Sequence, residues 1–379
     1  MSATESEPKK RSERPSAESG LGSQRAVRLL IIRFSSFGDI VQASAVPAAF
    51  KKAFPESEID WLVRDDFANL LSHHQHLHKV IRFDRRQGPW QLLQTAWRLA
   101  SSGGYSHVYD AHCNVRSQLV MLVFRLCFLL RLVSLRPFVS ATKPVFLTRP
   151  KNRLRRWLLF TFRLPSLPMP YRGAQSFLWP LEKWQISSSM PQGRQFWTEA
   201  SVPQTVLDEF SQLPQPRVAL APSAAWEMKR WPIEHWQKLI QLTPDLSFVL
   251  LGGPQDHFVE TIAATAPARC LNLAGSLTLQ QSSALLQMVD LVIANDTGIL
   301  HVADQMEIPT MALIGPTAFG YPSHSTSITM EVDLACKPCS KDGRGKCHNS
   351  VYQRCLLELA PEKVAQAARE ILHTGKAKN

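Results

Sequence analysis

Short apolar runs alternate along the chain with longer stretches in which apolar residues recur at helical spacing. The first run, Arg28 to Phe34, leads into a small polar turn, Ser35-Ser36-Phe37-Gly38-Asp39. A helical pattern follows to about Phe54, where Pro55 stops it. Further strands are predicted at Glu58–Val63, Lys79–Phe83 and His107–Asp110. The pattern then starts afresh, with strands predicted at Arg217–Ala221, Ser247–Leu251, Cys270–Leu273, Leu291–Ala294 and Thr310–Ile314. Helices are predicted at Pro232–Leu242, Asp256–Thr265, Ile299–Met306 and Pro361–His373. Strands joined through helices, not through tight turns, imply parallel sheets with right-handed crossovers.

Between the two series, Pro165–Gln204 is weakly periodic and rich in Pro, Ser, Gln and Trp, which marks a connection. A chain of 379 residues is too long for one comfortable core and about right for two. The expected fold is α/β: two Rossmann-like, doubly wound domains, residues 27–190 and 191–379, facing a central cleft. Such domains set the carboxyl ends of their strands, and hence the ligand crevice, against each other. Residues 1–26 mix Ser, Glu, Pro, Lys and Arg and are expected to be a disordered tail. With no apolar signal-peptide stretch there, a cytoplasmic protein is expected.

Charge changes this picture in one place. The net charge is +12, and no Asp or Glu occurs from Ala111 to Leu181, where twelve Lys and Arg residues fall. A one-signed region suggests an anionic partner (a phospholipid surface, a phosphorylated glycolipid or a nucleic acid) or else a solvated basic face. Within it Ser117–Leu135 is the most apolar window, interrupted by Arg125 and Arg131, so a spanning helix is rejected. The window reads either as an inner helix or as one that touches a membrane.

Four turns after predicted strands could carry chemistry. Asp39 either caps its helix or projects into the cleft as a general base. Asn295-Asp296-Thr297-Gly298, with His301 one turn on, is either an ordinary capped helix or a backbone nest for a diphosphate; it has no P-loop spacing. Asp296 or Thr297 would supply the cap. Ser223 and Lys229 offer a hydroxyl donor and a point charge for phosphate oxygens. Gly252-Gly253-Pro254-Gln255-Asp256 is either a structural turn or a ribose grip through Asp256. Separately, Cys336, Cys339, Cys347 and Cys355 lie within twenty residues. They fit a structural zinc site or reduced, packed thiols; disulfides are disfavoured in a reducing compartment.

The order and wording of Arg33-Phe-Ser-Ser-Phe-Gly-Asp39, Ile59-Asp-Trp-Leu-Val63, Lys229-Arg-Trp-Pro232, Gly252-Gly-Pro254 and Asn295-Asp-Thr-Gly298 with His301 resemble glycosyltransferase family 9. This is the family of the ADP-heptose:lipopolysaccharide heptosyltransferases, and the Cys-rich segment inclines the resemblance toward the type adding the second heptose. The resemblance implies the two-domain GT-B fold, with acceptor in the first half and nucleotide sugar in the second. It implies an inverting glycosyltransferase moving heptose from ADP-heptose to the lipopolysaccharide inner core, with no cofactor required for the transfer. Asp39 would be the base. Ser223 and Lys229 would meet the diphosphate, Asp256 the ribose, and Asp296, Thr297, Gly298 and His301 the phosphate and sugar. Arg116, Arg153, Arg155 and Arg156 would suit an acidic, phosphorylated acceptor at the inner face of the cytoplasmic membrane. Two rivals remain: a GT-B enzyme using another nucleotide sugar, and a non-catalytic nucleic-acid-binding protein. The second predicts aromatics interleaved with the basic residues, whereas the Arg-rich run carries mainly Leu, Val and Phe, so no nucleic-acid partner is expected.

Overall fold

A computed structural model describes residues 27–102, 104–133 and 143–374, apart from the side chains of 131–133. The expected tail and Arg136 lie outside the described residues. The first half forms a parallel sheet of β1 (Arg28–Ile32), β2 (Glu58–Arg64), β3 (Lys79–Phe83), β4 (His107–Asp110) and β5 (Val145–Thr148), in the order β3-β2-β1-β4-β5. The second forms one of β6 (Arg217–Ala221), β7 (Ser247–Leu250), β8 (Cys270–Asn272), β9 (Leu291–Asn295), β10 (Thr310–Leu313) and β11 (Ser327–Met330). Its order is β11-β10-β9-β6-β7-β8, again parallel throughout. Strand order reverses between β1 and β4 in one sheet and between β6 and β9 in the other. Those are the two points where an open parallel sheet leaves a crevice beyond its strand ends.

The central strands are apolar without a break because helices cover both faces. In β9, Leu291 and Ile293 pack with Trp231, Trp236 and the helix Pro361–Thr374 on one side. Val292 and Ala294 pack on the other, in an apolar cluster that also holds Leu29, Ile31 and Trp61 of the first half. One core therefore runs from sheet to sheet. The expected connection is partly core as well: the helix Gln175–Leu178 buries Phe177 and Leu178, and the N–H groups of Gln195 and Phe196 donate to the Gln305 carbonyl at 2.7 and 3.2 Å.

Two edge strands, β5 and β11, were not expected. Each is half covered, so neither carries a fully apolar run. The helix Val115–Val133 settles one open choice. Val120, Met121, Phe124 and Cys127 are buried, but Leu126 and Leu129 are 46% and 54% exposed, so this is no inner helix. Among the described residues, no helix is long and apolar enough to cross a membrane.

Candidate active site in the interdomain cleft

A cavity of about 590 Å³ opens at the carboxyl ends of both sheets and is lined from both halves. The turn after β1 contributes Arg33, Ser36 and Asp39, and the residue after β5 contributes Arg149. Asp39 sits at the third position of the helix Phe37–Ala43. Its Oδ2 accepts from the Ser36 hydroxyl at 2.7 Å and pairs with the Arg33 guanidinium at 2.5 Å. Oδ1 has no hydrogen-bond partner among the described residues. Asp39 thus closes a helix start and lines the cavity at once; the two readings of it are compatible. Burial alone would push its carboxyl up, but Arg33, Arg149 and the Ser36 hydrogen bonds outweigh that and hold it at about 2.

Both arginines are held from behind. Arg33 donates to the Ala111 carbonyl at 2.8 Å, and Arg149 donates to the Ser176 hydroxyl at 2.6 Å with its guanidinium 3.7 Å from the Phe177 ring centroid. The carboxylate therefore faces a fixed pair of cations on a rigid floor.

The second half supplies the turns after β6 and β9. The Asn295 amide donates to the Pro222 carbonyl at 2.7 Å, and its Oδ1 accepts from the Trp231 N–H at 3.1 Å, so the two turns are tied together. Asp296 is buried and does not cap the following helix, Gly298–Gln305; nor does the Thr297 side chain. Instead the Asp296 carboxylate accepts from the Thr317 hydroxyl at 2.6 Å and meets Lys229 Nζ at 3.1 Å. Burial raises its pKa, and the Lys229 ammonium with the Thr317 hydrogen bond more than reverses that, so it stays ionised. His301 is buried, 3.9 Å from Asp296, with the Gln42 amide nitrogen 2.9 Å from its Nε2; burial lowers its pKa and keeps it neutral. Because neither side chain caps it, the helix start keeps its leading N–H groups and positive end for an anion.

The two candidate turns touch. A Cβ on Gly298 would fall 2.0 Å from Phe37 Cε1, and one on Gly38 would fall 3.2 Å from His301 Cδ2. Only a missing side chain at Gly298 lets the front of the first half approach the β9 turn so closely.

Not every expected residue reaches this cavity. Asp39, Lys229, Asp296, His301 and Arg156 line it. Arg116, Arg153 and Arg155 lie exposed on the helices Val115–Val133 and Arg153–Phe162 and do not. Thr297, Gly298, Ser223 and Asp256 do not line it either; Ser223 and Asp256 sit together, since a Cβ on Gly252 would lie 3.0 Å from Ser223 Oγ and 3.3 Å from Asp256 Cβ. Asp256 accepts from the Gly253 N–H at 2.7 Å, which is turn geometry, and the Ser223 hydroxyl is buried without a hydrogen-bond partner among the described residues. Arg33, Arg149, Lys151, Gln42, Trp226 and Arg344 line the cavity without having been singled out for a role. Arg33 stands inside a quoted motif, and Arg149 and Lys151 lie in the basic run; the others are single residues brought in by the fold.

The anticipated zinc site is not assembled. The four cysteines are free thiols, and no group of three or more metal-ligating side chains among the described residues could hold an ion. Cys355 is buried in the apolar cluster of the second half, which pushes its thiol up to about 11. Burial raises the Cys339 thiol as well. Both remain protonated, the state of packed thiols.

Residues 182–348 match the model of glycosyltransferase family 9 (heptosyltransferase). The chain carries a glycosyltransferase family 9 domain. Lipooligosaccharide heptosyltransferase 2 of Haemophilus ducreyi is 24% identical over 373 residues, covering 91% of this chain and 99% of that protein. The structure of a family 9 glycosyl transferase from Veillonella parvula aligns with a TM-score of 0.68 at 18% identity, over 92% of this chain and 98% of that one. That of E. coli ADP-heptose lipopolysaccharide heptosyltransferase II aligns at 0.64 and 20%, over 92% and 100%. At those identities the structures establish the shared fold, the two-domain GT-B architecture. The protein is a glycosyltransferase enzyme, and the matched family 9 region includes the Lys229 and Asp296 turns.

Proposed function

We propose that this glycosyltransferase moves heptose from ADP-heptose to the lipopolysaccharide inner core with inversion, residues 27–190 holding the acceptor and 191–379 the nucleotide sugar. The observation that carries the chemistry is one shared cavity: Asp39 from the first half faces Lys229 and the Asp296 turn from the second. The names of its relatives support the donor and acceptor.

Glycosyl transfer passes through an oxocarbenium-like state in which charge gathers on the departing diphosphate. Lys229 and the uncapped N–H groups of the helix Gly298–Gln305 stabilise that charge, and Gln42 fixes the neutral His301 ring beside it. Asp39 takes the acceptor hydroxyl proton as attack proceeds on the opposite face of the sugar. Arg33 reduces its basicity but keeps it ionised and oriented, and the hydroxyl becomes acidic as the new C–O bond forms. As proposed, the step draws on side chains and backbone amides of this chain.

A lipid-borne acceptor fits the helix Arg153–Phe162. That helix sends Arg156 to the cavity, its guanidinium 4.5 Å from the Phe319 ring centroid, while Leu154, Trp157 and Phe162 are 67%, 52% and 54% exposed beside Arg153 and Arg155. Exposed basic and apolar side chains on one short helix suit peripheral attachment to an anionic bilayer. The protein should float with phosphatidylglycerol vesicles at low salt but not with phosphatidylcholine vesicles. Trp157→Ser should weaken flotation, and equal flotation of the two proteins would remove this face from the membrane. Heptose transfer itself is tested with ADP-heptose and a heptose-deficient lipid acceptor, beside thermal shifts with ADP, UDP and GDP. ADP should give the largest shift; a larger one with UDP or GDP would favour another nucleotide sugar.

A further inference from the structure

The Cys-rich segment, which the proposed chemistry leaves without a role, returns to the cleft. Its residues Lys341, Asp342 and Arg344 line the same cavity as Asp39 and Lys229. The segment is pinned at its foot: the N–H groups of Cys339 and Ser340 both donate to the Pro316 carbonyl at 3.0 Å, and Ser340 is bridged to Thr317. The buried Ser340 hydroxyl closes a tight loop, accepting from the Gly343 N–H at 2.9 Å and donating to the Arg344 carbonyl at 3.0 Å. From the other half, Arg163 donates to the Pro338 carbonyl at 2.9 Å. At the loop's tip, the Arg344 guanidinium lies 4.9 Å from the Trp226 ring centroid.

The tip bears directly on Lys229. A Cβ on Gly343 would lie 2.5 Å from Lys229 Cγ, 2.7 Å from its Cδ and 3.2 Å from Trp226 Cβ. The loop backbone therefore lies against the aliphatic stem of the cation, leaving no room for a methyl group. The contacts close a ring: Asp296 to Lys229, Lys229 to Gly343, Gly343 to Ser340, Ser340 to Thr317, and Thr317 back to Asp296. A lysine has four rotatable side-chain bonds and is usually a loose point charge. Here its stem is clamped from one side and its ammonium is aimed by a buried carboxylate.

We propose that the loop 338–347 is a strap across the diphosphate end of the cleft, and that Gly343 is a positioning residue that fixes Lys229 for the nucleoside diphosphate. The proposal rests on Lys229 as the diphosphate cation. Gly343 touches no substrate and acts through the lysine. Precise placement of such a cation before the reaction is what makes it effective, because no reorganisation is then needed as charge develops.

Gly345 provides the control. Both glycines adopt the left-handed backbone, with φ of +89° and +102°, so alanine is strained at each; a Cβ on Gly345 meets nothing within 4 Å. Calorimetric titration of the full chain with ADP, UDP, GDP and the matching nucleosides first establishes which diphosphate the wild type binds. That result tests the donor reading on its own, and the variants are then compared on the diphosphate bound most tightly. Gly343→Ala should weaken it by roughly tenfold or more, the scale of one charged hydrogen bond, and leave nucleoside affinity unchanged. Gly345→Ala should match the wild type on both ligands. In a Lys229→Ala background, Gly343→Ala should cost nothing further, because the stem it strikes is gone. Equal losses in the two glycine variants, or a Gly343→Ala loss that persists without Lys229, would overturn the strap. A wild type that binds none of the diphosphates would overturn the reading beneath it.

Discussion

Asp39→Asn lowers the rate of heptose transfer by roughly 10²–10⁴-fold, the usual contribution of a positioned general base, while ADP affinity stays at the wild-type value. The two outcomes separate because Asp39 belongs to the first half and the proposed nucleotide site to the second. Asparagine keeps the shape and can still accept from Ser36, but it cannot take a proton. It also removes the anion that pairs with Arg33, whose residue is only 6% exposed, so the variant is less stable as well. The sign of the pH dependence follows from the depressed pKa. A carboxyl held at about 2 when folded, against about 3.9 when unfolded, adds stability that is fully present above the unfolded value. That stability is lost as pH falls toward the folded value. The gap between wild type and Asp39→Asn in denaturant midpoint should thus be full at neutral pH and shrink below about pH 4. Transfer at the wild-type rate by Asp39→Asn would remove the base and leave the cleft in need of another proton acceptor.

The second large effect belongs to Lys229. Its ammonium, 3.1 Å from Asp296, is the side-chain cation that the second half aims at the proposed diphosphate position. Lys229→Ala is expected to lower transfer by about 10²–10³-fold, the loss seen when one preorganised donor is removed from a developing anion, and to weaken ADP binding with it. It also strands Asp296, a buried carboxylate, and breaking such a pair costs on the order of 3 kcal/mol. The double variant Lys229→Ala with Asp296→Asn should recover most of that stability, because no charge is left unpaired, yet recover none of the activity. If activity returned with stability, Lys229 would be a structural partner of Asp296 and nothing more. Together the two experiments test the halves of the cleft separately: one removes a proton acceptor and spares the nucleotide, the other removes charge stabilisation and weakens both.

The short apolar runs were enough to place nine of the eleven strands, seven of them central strands of a parallel sheet, which are covered on both faces and whose sequences show it. The turns after those strands could be named for the same reason: in such sheets the crevice follows from strand order, and polar, Gly-containing turns at strand ends announce themselves. Asp39, Lys229 and Asp296 were therefore legible as candidates in the sequence itself. Of the four edge strands, β3 and β8 showed in the pattern but β5 and β11 did not, since a half-covered strand needs no continuous apolar run. The basic segment was legible as a charge imbalance, but only the fold separates Arg149 and Arg156, which reach the cavity, from Arg116, Arg153 and Arg155, which stay outside it.

Local pattern records what each stretch buries against its own sheet, so the chain alone determined two parallel α/β halves and the turns that could carry chemistry. It does not record meetings between residues that are far apart in the chain. That Phe37 lies against Gly298, that Arg33 and Arg149 converge on Asp39, and that Gly343 presses on Lys229 were decided by tertiary packing. The physical reason is that such contacts depend on how strand-end turns and loops pack in space, and for Phe37 and Gly298 on how the two sheets dock, none of which a local hydrophobic pattern encodes.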